Sequence, residues 1–177
     1  TSWRLLPCRV LRAGENMAID EAVFRLNRLE GLPPTLRFFG WNPPAVSLGY
    51  FQKTFQEINV DFCRREGIDI VRRPTGGKAV LHEHELTYSL VAAIDHPLFT
   101  ADILETYRVI SACIVEALKR IGLAPEMVYE GRSAAGTPLE GYCFASPSKY
   151  ELLVDGRKIC GSAQVRGGGT FLQHGSL

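Results

Sequence analysis

Several common organising devices are missing from this chain. Its five cysteines, Cys8, Cys63, Cys113, Cys143 and Cys160, are odd in number, widely spaced and without a Cys-x-x-Cys pair. That argues against a disulfide framework or a zinc knuckle and fits a reducing cytoplasm. No charge predominates, since 20 Lys and Arg stand against 19 Asp and Glu. A global basic field for nucleic acid is therefore excluded, and any cationic site must be local. The longest apolar runs are only strand-sized, and the start lacks the charged, apolar and small-residue order of a secretory signal. These absences predict a soluble cytoplasmic protein with neither nucleic acid nor membrane as partner. The chain begins without Met and stops at Leu177 just after a strand-like run, so a trimmed end is expected. What remains is ample apolar bulk. With 177 residues, 46% of them hydrophobic, one domain over residues 1–177 can bury its own core without metal or disulfide.

Periodicity then places the elements. Ala18, Ala22, Leu26 and Leu29 fall at helical spacing within residues 16–29, with Gly31 beyond the end. Residues 35–41 and 45–50 read as strands around Asn42-Pro43-Pro44, and residues 60–66 as a short helix stopped by Gly67. Residues 85–92 read as another strand. The clearest helix spans 101–121, where Ile103, Tyr107, Ile110, Ile114, Leu118 and Ile121 make one apolar stripe. Residues 127–129 read as a strand and 131–141 as a glycine-containing loop. Residues 150–154, an Asp155-Gly156 turn and residues 158–165 form a hairpin signal, followed by a glycine turn at 167–169 and a strand from 170 to 173. Hairpins with segregated helices favour an α+β fold over a doubly wound parallel sheet.

The most informative stretch is Arg72-Arg73-Pro74-Thr75-Gly76-Gly77-Lys78-Ala79-Val80-Leu81-His82. Strand-like residues flank a tight connection that combines cations with a glycine pair. Glycine lets a backbone approach a ligand, and clustered N–H groups with cations hold carboxylates or phosphates. The plain alternative is a hairpin with solvated arginines. Cys143 lies among Gly141, Ser146, Pro147 and Ser148, a loop context that raises its reactivity above that of the other four cysteines, which sit in or beside apolar patterns. Lys158 follows a turn and precedes Gly161-Ser162-Ala163, a small-residue run that leaves room for a ligand or serves as a bulge. His82 and His174 each end a strand-like run, as caps or as general bases. The cluster Glu83, His84, Glu85 with His82 has no distant third ligand, so no metal is expected.

Taken together, Asn16-Met17-Ala18-Ile19-Asp20, Val46 to Gln52, Arg72 to His82 and Asp155-Gly156-Arg157-Lys158 resemble the biotin/lipoate protein ligase and transferase family. Cys143-Phe144, Ser146-Pro147-Ser148 with Tyr150-Glu151-Leu152, Gly161-Ser162-Ala163-Gln164 and Leu172 to Leu177 are similar to its octanoyltransferase branch, typified by Gram-positive bacteria. The resemblance implies a mixed, largely antiparallel sheet packed against helices, like class II aminoacyl-tRNA synthetases and biotin synthetase. It further implies transfer of octanoyl from acyl carrier protein, through a thioester on Cys143, to a lysine of a lipoyl domain, the acceptor being the glycine cleavage H protein. Lys158 would assist catalysis. Arg72, Arg73, Gly76, Gly77, Lys78, His82, Gly161, Ser162 and Ala163 would bind substrate, and Val80 and Tyr88 would line an apolar slot. No cofactor is implied, because a thioester is exchanged for an amide without ATP. ATP-dependent lipoate ligases usually carry a third glycine where this chain has Lys78. Such a ligase, a biotin ligase and a non-catalytic acyl-binding scaffold are the competing expectations.

Overall fold

The structure is a computed structural model and describes residues 2–53, 58–99, 102–130 and 149–177. Its contacts cluster into two compact units, one comprising residues 1–93 and 163–177 and the other residues 94–162.

The first unit begins with an element that periodicity did not suggest. Strand β1 (Arg4–Leu11) is mostly exposed and contains Pro7, and its register against the next strand shifts between Leu6 and Arg9. An edge position and a bulge are both places where proline is tolerated in a sheet. β1 pairs parallel with β2 (Thr35–Trp41), which pairs antiparallel with β6 (Thr87–Ala93), and β6 with β10 (Thr170–Ser176). Strand β9 (Arg157–Gly167) neighbours β10. Phe39, Val91, Phe171 and Leu172 are almost wholly buried here. The pairing is mixed but mainly antiparallel, as expected.

Helix α1 (Ala13–Glu30) packs on this sheet and ends at Gly31 in the left-handed conformation, φ 61°. The expected helix is present, but its buried face is a different one. Ala18, Ala22, Leu26 and Leu29 face solvent, whereas Asn16, Met17, Asp20 and Asn27 are buried. The polar members of that face have partners. Asn16 Nδ2 donates to Gly40 O at 2.9 Å, and Asn27 Oδ1 accepts from Thr170 Oγ1 at 3.1 Å. Hydrogen bonding offsets the desolvation that would otherwise exclude these groups.

A second, small sheet in the same unit runs β4-β3-β5, from β3 (Ala45–Leu48), β4 (Asp69–Arg72) and β5 (Val80–His82). β3 pairs parallel with β4 and antiparallel with β5. Helix α2 (Val60–Arg65) precedes β4, with the Asn59 side chain accepting from Phe62 N at its start. Asp69 ties this sheet to α1: its carboxylate accepts from Arg12 Nη2 at 2.8 Å and Ala13 N at 3.4 Å. The Arg12 hydrogen bond holds the Asp69 carboxyl below its ordinary range, against the opposing effect of burial.

In the second unit, α3 (Ile103–Arg120) starts at Asp102, whose carboxylate accepts from Glu105 N at 2.7 Å. Its expected stripe is only partly covered: Ile110 is buried, while Ile103 and Ile121 are exposed. Strands β7 (Glu126–Met127) and β8 (Leu152–Val154) pair antiparallel, and β8 pairs with the start of β9 around the Asp155-Gly156 turn. Among the described residues no helix is long and apolar enough to cross a membrane.

Candidate active site

The segment from Arg72 to Lys78 is not the turn of a hairpin. The two strands it joins, β4 and β5, lie on opposite sides of β3, so the segment crosses the end of β3 and is bonded to it. Arg73 N donates to Leu48 O at 3.0 Å and Tyr50 N donates to Thr75 O at 2.9 Å. Nor are both arginines solvated. Arg73 is 5% exposed. Its guanidinium donates to Ser47 O and Oγ at 2.9 and 3.0 Å, to Gly76 O at 2.8 Å and to Lys78 O at 2.7 Å. Arg72 donates to Gly49 O at 2.8 Å and Tyr50 O at 3.0 Å. Arginine suits this bracing because its planar fork reaches several acceptors at once.

The three glycines here differ in what requires them. At Gly49 a Cβ would stand 1.9 Å from Gly77 O and 2.9 Å from Gly77 C, inside rigid backbone. Gly77 has φ +94°, and a Cβ there would meet the Arg73 guanidinium at 2.9 Å. Gly76 has neither constraint, since a Cβ would find nothing within 4 Å. A trans peptide points its C=O and N–H in opposite directions. The guanidinium that draws the Gly76 carbonyl therefore turns the Gly77 N–H away from itself.

Two buried hydroxyl–imidazole–carboxylate chains reach this loop. In the first, His82 Nε2 bonds Ser47 Oγ at 2.7 Å, and its Nδ1 bonds Glu85 Oε1 at 2.7 Å. The imidazole stacks on Trp41 with centroids 4.1 Å apart. Glu85 Oε1 also accepts from Thr87 Oγ1 at 2.7 Å and Ser176 Oγ at 2.8 Å. Burial pushes the Glu85 carboxyl up, but the His82 hydrogen bond and charge, with the two hydroxyls, outweigh it and hold it below the ordinary value. Through Ser47, which accepts from Arg73, this chain leads into the brace.

In the second chain, Thr75 Oγ1 bonds His174 Nε2 at 2.6 Å, and His174 Nδ1 bonds Asp20 Oδ2 at 3.2 Å. Asp20 Oδ1 accepts from Arg37 Nη1 at 2.9 Å. Arg37 also donates to Asn16 O at 3.0 Å and to Asn16 Oδ1. The side chains of Arg37 and Asp20 are 5% and 1% exposed, a placement tolerable only because each charge is paired and hydrogen-bonded.

In the second unit, Lys158 on β9 is not a solvated strand end. Its side chain is 4% exposed, and Nζ lies 2.8 Å from Glu151 Oε2. The β8–β9 register shifts between Leu152, opposite Cys160, and Leu153, opposite Lys158, so the ladder is interrupted beside the lysine. Cys160 is a packing residue. Burial pushes its thiol up to about 11, with Ser162 opposing and Glu151 adding to the rise. Ser162 Oγ lies 3.7 Å from Cys160 Sγ.

Of the expected site residues, Arg72, Arg73, Gly76, Gly77, Lys78 and His82 are thus gathered around one loop of the first unit. Lys158, Gly161 and Ser162 lie on β9 within the second unit, and Ala163 on the same strand within the first. Cys143 and the 131–141 loop lie outside the described residues. Tyr88 is buried, its hydroxyl accepting from Gln173 Nε2 at 2.9 Å. Sequence reasoning missed Ser47, Thr75, Asp20 and Glu85 as partners of the two histidines, and Glu151 as the partner of Lys158. Only proximity in the chain could have suggested Glu85 for His82. Nothing in the sequence pairs Asp20 with His174.

Comparison with known proteins gives this arrangement a context. The model of the lipoyl protein ligase A/B catalytic domain matches residues 12–177. Octanoyltransferase LipM of Brevibacillus brevis is 43% identical over 179 residues, covering 99% of this chain and 65% of that protein. LipM of Carboxydothermus hydrogenoformans is 46% identical over 176 residues, covering 99% and 64%. The chain therefore spans about 65% of the length of the curated relatives it matches. Among solved structures, lipoate-protein ligase A bound with ATP superposes with a TM-score of 0.82 at 28% identity, covering 100% of this chain and 66% of that one. Ta0514 of T. acidophilum with bound lipoic acid gives 0.81 at 28%, covering 100% and 68%.

Proposed function

Because the chain belongs to the lipoyl protein ligase A/B catalytic-domain family, we propose that its protein is an octanoyltransferase acting in protein lipoylation. The similarity of 99% of the chain to proteins named octanoyltransferase carries this reading. The donor is octanoyl-acyl carrier protein. The acceptor is a lipoyl-domain lysine, that of the glycine cleavage H protein.

The reaction proceeds by two acyl exchanges. The Cys143 thiolate attacks the donor thioester carbonyl, the carrier's thiolate leaves, and octanoyl remains on Cys143 as a second thioester. The acceptor amine then attacks that carbonyl, an amide forms, the amine loses a proton and the Cys143 sulfur departs. Keeping the intermediate as a thioester preserves its reactivity towards the amine, where an ester would be less reactive. Lys158, buried and paired with Glu151, polarises the acyl carbonyl or orients the incoming amine. The main chain at Gly76 and Gly77 receives the developing oxyanion, and Arg72, Lys78, Gly161, Ser162 and Ala163 contact substrate. Losing one well-placed oxyanion donor costs about 3 to 4 kcal/mol.

A second reading is an ATP-dependent ligase that forms an acyl-adenylate, favoured by the likeness to lipoate-protein ligase A bound with ATP. The two readings separate in one experiment. The full-length protein is incubated with octanoyl-acyl carrier protein and apo lipoyl-domain acceptor in the absence of nucleotide. Octanoylated acceptor in mass spectra, together with a hydroxylamine-labile octanoyl group on wild type but not on Cys143→Ala, is the expected result. Product only with octanoate and ATP refutes the transferase, and equal labelling of both proteins removes Cys143 from the mechanism.

A further inference from the structure

The glycine pair has no side chains of its own to fix it, so its position depends on the residues on either side. On one side the Arg73 guanidinium gathers the Gly76 and Lys78 carbonyls. On the other stands Thr75, which is wholly buried and is held twice. Its carbonyl accepts from Tyr50 N at 2.9 Å, and its hydroxyl bonds His174 Nε2 at 2.6 Å. A carboxylate only accepts, so the His174 Nδ1 facing Asp20 carries the proton towards it. Nε2 is then left to bond the threonine hydroxyl. Asp20 is itself clamped by Arg37, which also holds Asn16. The imidazole is therefore oriented by a carboxylate that Arg37 holds, and the hydroxyl by that imidazole.

Thr75 is too deeply buried to act as a nucleophile. Because its β-branched side chain is stiff at χ1, a hydroxyl held by His174 restrains the Thr75 backbone that leads into the glycine pair. We infer that Thr75 is a positioning residue for acyl transfer: its hydroxyl, locked by the Asp20–His174 pair, holds the Gly76–Gly77 main chain where it meets the acyl carbonyl. This rests on the acyl-transfer reading for the carbonyl, and on the structure alone for the lock. His82 provides a second anchor, through Ser47, at the Arg73 side of the same loop.

Thr75→Val removes the hydroxyl and keeps the branched shape, whereas Thr75→Ser keeps the hydroxyl. Both are compared with wild type in the full-length protein by hydrogen–deuterium exchange and by steady-state octanoyl transfer. In T75V, amides of residues 76–78 should exchange on the order of tenfold faster, while those of β6 and β10 hold their rates. Its kcat should fall on the order of tenfold or more with KM little changed, the pattern of a lost transition-state contact. T75S should restore both quantities. If T75V is too unstable to purify, Thr75→Ala deletes the same hydroxyl and carries the same expectation. Unchanged loop exchange, or faster exchange with an undiminished kcat, overturns the inference. A wild type that transfers no octanoyl refutes the proposed function instead, and the exchange comparison still decides whether the hydroxyl holds the loop.

Discussion

Gly76→Ala separates what the fold demands of the loop from what a substrate would demand. A Cβ at this position meets nothing within 4 Å, and Gly76 is absent from the positions with positive φ. The variant should fold as the wild type does. Alanine restricts the unfolded chain more than glycine does, so where the native backbone accepts it the change stabilises by about 0.4 to 1 kcal/mol. At about 2 to 4 °C per kcal/mol for a chain of this size, Tm should be unchanged or higher by up to about 4 °C. Catalysis should respond in the opposite direction. If the acyl carbonyl rests against this open stretch of backbone, a methyl group displaces it, and a misplacement of about 1 Å costs on the order of 100-fold. Gly49→Ala is the matched control for sterics. Its methyl would sit 1.9 Å from the Gly77 carbonyl oxygen, and overpacking of this kind costs about 1 to 3 kcal/mol, or a Tm lower by roughly 2 to 12 °C. Differential scanning fluorimetry and a nucleotide-free octanoyl-transfer assay on both variants provide the readouts. A G76A enzyme as active as wild type refutes the placement of substrate at this glycine, and a G49A protein with unchanged Tm refutes the close approach of the two backbone segments.

Three further outcomes follow from the buried groups. Glu151→Gln removes half of a buried ion pair, so thermal melts should show a loss of about 3 to 5 kcal/mol, accompanied by slower octanoyl transfer. Glu151→Asp, which retains the charge, should lose less of both. The Glu85 carboxyl titrates lower in the folded protein than its ordinary 4.5. Its stabilising contribution is therefore complete above that value and disappears as pH falls through the lowered folded value. Urea midpoints between about pH 3 and 6 should show the gap between wild type and Glu85→Gln closing towards the acid end. Cys160, a thiol held up to about 11, should resist alkylation of the native protein near neutral pH while the exposed Cys8 and Cys113 react. Acyl trapping should leave it unlabelled, as mapped by peptide mass spectrometry.

Elements with a strong local signal were legible from the residues alone. β2 carries the expected bounds, and the Asp155-Gly156 turn sits between paired strands as its dipeptide indicates. β1 escaped notice because Pro7 and an irregular register erase the period-2 pattern that identifies a strand. Helix α1 was located but turned the wrong way. Apolar spacing selected Leu26 and Leu29, while the buried face carries Asn16, Asp20 and Asn27, polar groups whose burial depends on partners far along the chain. The same reason hid the histidine chains. Thr75 and His174 are 99 residues apart, and Ser176 and His82 are 94, and no local pattern encodes such pairs. The arginine-glycine motif was legible as a connection between two strands but not in its topology, because β3, which lies between its flanking strands, precedes both in sequence.

That 99-residue separation also bears on when the protein becomes competent during its synthesis. At about 5 to 20 residues per second, Thr75 leaves the ribosome roughly 5 to 20 s before the imidazole it must meet. Until then the nascent chain can form β3, β4 and the Arg73 brace, yet the Thr75 hydroxyl lacks the imidazole that holds it. A nascent chain stalled before residue 174 should therefore lack acyl-transfer capacity even where its small sheet has already formed.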